Sequence, residues 1–190
     1  MNSWSSRHSA VPIEQGFTIW LTGLPRAGKT TLARLLARRL RQEGRSVELL
    51  DGDVLRRTLA KDLGFSRDDW LENIRRIAFV ATIVTQAGGI AIVAAIAPYA
   101  EARAAARRTI RRYMEVYVRC PLAICMQRDP KGLYAKAQRG EVSRFTGLLD
   151  SYDEPLHPDV IVDTDRTDPA QCVEAILRGF TAIRESERLR

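Results

Sequence analysis

Short, dense apolar runs alternate along this chain with longer stretches of helical periodicity. Phe17-Thr18-Ile19-Trp20-Leu21-Thr22 is rich in β-branched and aromatic side chains and predicts a buried strand. Leu32, Leu35, Leu36 and Leu40 then recur at helical spacing and predict one apolar helix face, stopped by Gln42-Glu43-Gly44. Residues 47–50 predict a second strand, and Val54, Leu55 and Leu59 begin a short helical pattern. Ser66-Arg67-Asp68-Asp69 reads as the start of a helix that runs to about Gln86 and ends at Ala87-Gly88-Gly89. Residues 90–96 are continuously apolar, as suits a central parallel strand covered on both faces. Residues 101–112 predict a helix, 114–118 a strand, 122–128 a short helix and 160–163 a last strand. Thr167-Asp168-Pro169 is expected to cap a final helix reaching about Glu185.

Strands alternating with helices predict an α/β fold, with a parallel sheet of about five strands and helices on both faces. The periodicity lapses between residues 129 and 158, where Pro130, Gly132, Gly140, Gly147, Pro155 and Pro158 punctuate a charged stretch. An irregular segment of about thirty residues in a compact domain is expected to serve function or motion. Residues 129–153 are therefore expected to form a lid. Residues 1–15 hold no apolar run of secretory-signal length and are expected to be a disordered leader. The domain is then expected to span residues 16–185.

Composition narrows the class. With 45% apolar and 28% charged residues among 190, the chain can bury a core, and it has no apolar run long enough to cross a bilayer. Cys120, Cys125 and Cys172 form no CxxC pair, which fits reduced, buried cysteines in a cytoplasmic protein. The net charge of +7 invites a nucleic-acid partner. The basic residues are spread along helices without a recognised DNA or RNA motif, so small polyanions are the expected partners instead. Arginine dominates the basic residues, the lysines being Lys29, Lys61, Lys131 and Lys136.

The first strand and first helix are joined by Gly23-Leu24-Pro25-Arg26-Ala27-Gly28-Lys29-Thr30, which fits G-x-x-x-x-G-K-[ST] at every defined position. Backbone N–H groups of such a loop and the positive end of the helix cradle polyphosphate. Lys29 is expected to reach the β- and γ-phosphates, and Thr30 to offer its hydroxyl to Mg²⁺. The second strand ends in Asp51-Gly52-Asp53, at the sheet edge where α/β folds bind ligands. Asp51 is a candidate for Mg²⁺, and Asp53 for taking a proton from an attacking hydroxyl. Asp53 is also a candidate cap for the helix that follows.

Five stretches in order resemble the adenosine 5′-phosphosulfate (APS) kinases, members of the P-loop NTPase superfamily: GLPRAGKTT from Gly23, DGDVLR from Asp51, LGFS from Leu63 with ENIRR from Glu72, IAPY from Ile96, and RDPKGLYAKAQRGEVSRFTG from Arg128. The resemblance implies a P-loop kinase-like, three-layer α/β/α fold and transfer of phosphate from Mg-ATP to the 3′-hydroxyl of APS. It implies that Gly23, Leu24, Pro25, Arg26, Ala27, Gly28, Lys29, Thr30, Thr31 and Arg128 bind ATP, with Arg128 beside the lid. Thr30 and Asp51 would hold the metal, and Lys29 and Asp53 would be catalytic. Arg56 and Asn73 would contact the phosphosulfate, Phe65 and Phe145 would enclose the adenine, and Ile96, Ala97 and Lys136 would complete the acceptor site. By family analogy the enzyme is a cytoplasmic homodimer.

Four positions depart from the family pattern. Ala97 stands where the family usually carries Ser, so no phosphoserine can form there, and direct in-line transfer remains. Trp70 replaces an Arg two residues before ENIRR, and Ala100 and Ala102 replace a further Arg and Asp. The donor half of the site matches while the acceptor half is altered. Two acceptors are thus left: APS, or another nucleotide- or sugar-type hydroxyl. Arg75 and Arg76 are as readily a solvated helix face as acceptor contacts.

Overall fold

The computed structural model of the chain describes residues 15–129, 132, 134, 139 and 151–189. Its five strands are β1 (Phe17–Thr22), β2 (Val47–Asp51), β3 (Ile90–Ala94), β4 (Tyr113–Arg119) and β5 (Val160–Asp163). They form one sheet in the order β2-β3-β1-β4-β5, and every neighbouring pair is parallel. Among the described residues the helices are α1 (Lys29–Gln42), α2 (Gly52–Thr58), α3 (Arg67–Gln86), α4 (Ala100–Thr109), α5 (Leu122–Gln127) and α6 (Pro169–Arg188).

The central strand shows why residues 17–22 carry no polar alternation. Phe17, Ile19 and Leu21 face one core with Leu32, Leu36 and Leu40 of α1 and Ile176 and Phe180 of α6. Trp20 faces the other, with Ile74 and Ile77 of α3 and Ala102 and Ala106 of α4. Helices thus cover both faces, as the three-layer expectation requires. Burying each such aliphatic side chain contributes roughly 1.5–3 kcal/mol, so both cores are needed to hold the sheet.

The ends of elements follow local chemistry. Ser66 caps α3 with a capping box, its side chain accepting from the Asp69 amide while Asp69 accepts from the Ser66 amide. Asp168 caps α6 with Pro169 next to it.

Four expectations shift. Leu35 lies outside the buried face of α1 at 37% exposure, because Leu32, Leu36 and Leu40 already fill the stripe. β3 ends at Ala94 rather than residue 96. The Ala95 amide still reaches the Leu21 carbonyl, but the Ile96 carbonyl turns to the Thr22 hydroxyl and Ala97 has a positive φ of 44°. α4 ends at Thr109 rather than 112, because Ile110 adopts extended backbone and is fully buried. α6 continues to Arg188, three residues past the expected helix end near Glu185. The three cysteines are free and buried. No helix among the described residues is long and apolar enough to cross a membrane.

Candidate active site

The loop between β1 and α1 is set by glycine geometry. Gly23 has a φ of 147°, and a Cβ there would lie 2.4 Å from the Val118 carbonyl of β4. The loop can therefore press onto β4 only without a side chain at this point. Gly28, at a φ of 102°, takes the left-handed turn into α1. Leu24 packs against the core and Ala27 is fully buried.

Residues after α5 brace the loop from outside. Arg26, itself at a φ of 65°, pairs with Asp129 at 3.3 Å. The Tyr134 hydroxyl donates to the Pro25 carbonyl at 2.9 Å. Thr164 Oγ1 donates to the Ala27 carbonyl at 2.8 Å, and Arg128 holds Thr164 through its hydroxyl and carbonyl oxygens. The structure thus places Arg128 beside the loop, as a brace acting through Thr164.

Lys29 is buried, and its Nζ donates to the Gly23 and Leu24 carbonyls at 2.9 and 2.7 Å. Burial draws its pKa down to about 8, opposed by Cys125 and by Asp53 and Asp51. The neighbouring Thr30 hydroxyl donates to Asp51 Oδ2 at 2.9 Å. The two expected metal ligands are therefore side by side. Thr31 is exposed on the next position of α1.

Asp51, not Asp53, caps α2. Its Oδ1 accepts from the Asp53 and Val54 amides. The cap leaves the Asp53 carboxylate exposed in the first turn. Gly52 makes this arrangement possible, since a Cβ there would sit 3.1 Å from the Ala94 carbonyl and 3.3 Å from Ala95 Cα. The start of α2 lies directly against the end of β3.

Among the described residues, no three His, Cys, Asp or Glu side chains gather as a protein-only metal cage. One hydroxyl and one carboxylate suit a hard cation that completes its oxygen shell with water and phosphate, so the residues fit Mg²⁺.

Of the expected acceptor residues, Arg56 and Phe65 come together, joined by Trp70. The Arg56 guanidinium stands 4.3 Å from the Phe65 ring centre and 5.0 Å from that of Trp70. Asn73 is 3% exposed, and its Oδ1 has no hydrogen-bond partner among the described residues. Arg75 is exposed and pairs with Glu72, whereas Arg76 joins Glu72, Asp62 and the Leu59 carbonyl. Arg76 thus ties α3 to the loop after α2, and the hydrogen bonds from Arg75 first and Arg76 second pull Glu72 down to about 2. Ile96 and Ala97 follow β3 with their carbonyls held by Thr22 and Arg103, and Ala97 is fully buried in the core with Trp20 rather than open to a ligand. Lys131, Lys136 and Phe145 lie outside the described residues, as does most of the expected lid.

Four neighbours of the site were not foreseen from sequence. Thr22 bonds both the Ile96 carbonyl and the Tyr152 hydroxyl. Tyr152 stacks on Tyr117, and Asp153 caps α4 through the Ala100 amide. Arg103 is buried, pairs with Glu115 at 2.9 Å and donates to the Ala97, Pro98 and Asp153 carbonyls. Thr164 is the fourth. Arg103 had a usable signal, an Arg on the alanine face of α4. Thr22, Tyr152 and Thr164 had none, since each acts across a long span of chain.

The profile of the adenylylsulphate kinase family matches residues 15–163. An adenylyl-sulfate kinase from Chloroflexus aurantiacus is 51% identical over 92% of this chain and 95% of its own. A probable adenylyl-sulfate kinase from Synechocystis is 52% identical over 92% of this chain and 98% of its own. The structure of the Mycobacterium tuberculosis APS kinase in complex with AMPPNP and APS superposes with a TM-score of 0.82 at 44% identity, covering 86% of this chain and 96% of that one. With its phosphate loop, paired aspartates and sheet order in place, this chain belongs to the adenylylsulphate kinase family.

Proposed function

We propose that this chain transfers the γ-phosphoryl group of Mg-ATP to the 3′-hydroxyl of APS, yielding PAPS and ADP. The observation that carries the reading is the grouping of Lys29, Thr30, Asp51 and Asp53 on one edge of the sheet in a chain half identical to adenylyl-sulfate kinases. In-line transfer needs positioning and charge stabilisation above all. The loop amides and the N-terminus of α1 receive the phosphates, and Lys29 exchanges its two carbonyl partners for phosphate oxygens. Thr30 and Asp51 would hold Mg²⁺, which neutralises charge on the phosphates when bound. Asp53, exposed in the first turn of α2, takes the proton of the attacking hydroxyl. Arg56 and the buried Asn73 receive the phosphosulfate, and Phe65 offers a ring face to the adenine.

Three free, buried cysteines support a cytoplasmic setting, and family analogy supports a homodimer. A coupled ADP-release assay over an acceptor panel tests the reading. APS is expected to give turnover well above the ATPase background, with PAPS recovered by chromatography. Background-level turnover with APS, alongside clear turnover of another nucleotide or a sugar, would replace it with the kinase of a different acceptor. Trp70 is the feature that favours that competing reading.

A further inference from the structure

Arg56 of α2 is held between two aromatic neighbours from different elements, Phe65 in the loop before α3 and Trp70 in its first turn. Both rings are within cation–π reach, about 6 Å of a ring centre. Its Nη2 donates to the Gly64 carbonyl. Its Nη1 is shut off from solvent and has no hydrogen-bond partner among the described residues. Burial lowers the guanidinium pKa, and the opposing carboxylate, Asp69, is already bound by Ser66. A guanidinium arm that has lost water without gaining an anion is prepared to receive one.

The two rings have unequal footing. Phe65 is 53% exposed on a loop. Trp70 is partly buried and packs against the core cluster beneath α3. If Phe65 turns towards an adenine, Trp70 is the aromatic contact that stays with Arg56.

We propose that Trp70 is a positioning residue for the acceptor site: its ring, rooted in the core through α3, holds the Arg56 guanidinium so that the unpartnered Nη1 edge meets the anionic end of the acceptor. The proposal rests on the reading that Arg56 binds the phosphosulfate. The large ring at position 70 then orients the cation at position 56.

The test is a double-mutant cycle on the full chain, with the KM values for APS and Mg-ATP, kcat and thermal melting measured for each variant. Trp70→Ala is expected to raise the KM for APS about three- to thirtyfold, the range of a cation–π contact, while the KM for Mg-ATP stays within about twofold. Trp70→Phe is expected to fold like the parent and recover most of the loss. In an Arg56→Ala background, Trp70→Phe and Trp70→Ala are expected to add no further effect on the KM for APS. Equal effects of the Trp70 substitutions with and without Arg56 overturn the proposal alone. An unchanged KM for APS in Arg56→Ala overturns the role of Arg56 and the proposal with it. A Trp70→Ala protein that loses stability and affects both substrates equally, without rescue by Phe, reduces Trp70 to a packing residue.

Discussion

Lys29 spends the nucleotide-free state on two carbonyls of its own loop, in a buried setting that lowers its pKa to about 8. Phosphate binds the charged ammonium, so nucleotide affinity is expected to be flat below about pH 8 and to fall above it. Titrating AMPPNP affinity across this range checks the trend, and Lys29→Arg, which keeps its charge, is expected to flatten it. Because the folded pKa lies below the unfolded 10.5, the unfolded chain holds more protons between about pH 8 and 10.5. The stability of the nucleotide-free protein should therefore rise with pH across that window. Asp53 makes a second test at this scale. In its proposed role as general base it would be worth about 10²–10⁴ in rate, so Asp53→Asn is expected to lower kcat by that factor. The melting temperature should hold, since the side chain is exposed and Asp51 carries the cap. Sequence singled out both residues but offered the cap to Asp53 where the fold gives it to Asp51, because the cap depends on which carboxylate faces the α2 amides.

At the scale of elements, short-range chemistry placed nearly every strand and helix. Capping boxes, proline at helix starts and dense apolar runs act within a few residues, so they are readable along the chain. The exceptions lie where a neighbour intervenes. β3 stops short because Thr22 takes the Ile96 carbonyl, and α4 stops short because Ile110 enters the core. The join between β2 and α2 is the element on which the site depends most. Gly52→Ala would place a Cβ 3.1 Å from the Ala94 carbonyl and shift the start of α2 from the end of β3 by a few tenths of an ångström. Strain of this kind typically costs about 1–3 kcal/mol. A clear drop in kcat is expected alongside a modest loss in urea midpoint, because the displaced helix carries Asp53 and Arg56.

At the scale of the whole molecule, Arg103 joins α4, β4, the turn after β3 and the segment returning at Tyr152-Asp153. Arg107 extends the cluster to Asp159 and to the ring of Tyr113. Burial pushes the Glu115 carboxyl upward while Arg103 and Arg107 hold it down. Removing one member of a buried pair typically costs about 3–5 kcal/mol, and Arg107 still reaches Glu115 at 3.7 Å, so Arg103→Ala is expected to destabilise the fold by about 3 kcal/mol, measured by urea unfolding. The segment carrying Tyr152 should loosen first, and a rise in proteolysis near residue 152 would report it. Arg103→Lys is expected to recover only part of the loss, since one ammonium cannot bridge three carbonyls and a carboxylate.

Sequence by itself determined the donor half of this protein: a strand, a glycine loop, Lys29 and Thr30, then two aspartates at the end of the next strand. Those groups are close in sequence, and local backbone geometry alone brings each motif together. Tertiary structure alone decided that Asp51 meets Thr30, that Thr22 meets Tyr152 across 130 residues, and that Arg103 is buried against Glu115 and the Ala97 carbonyl. It also decided what Trp70 touches. A residue type at one position names a charge or a ring, while its partner is fixed only when separate elements pack, here Trp70 of α3 against Arg56 of α2.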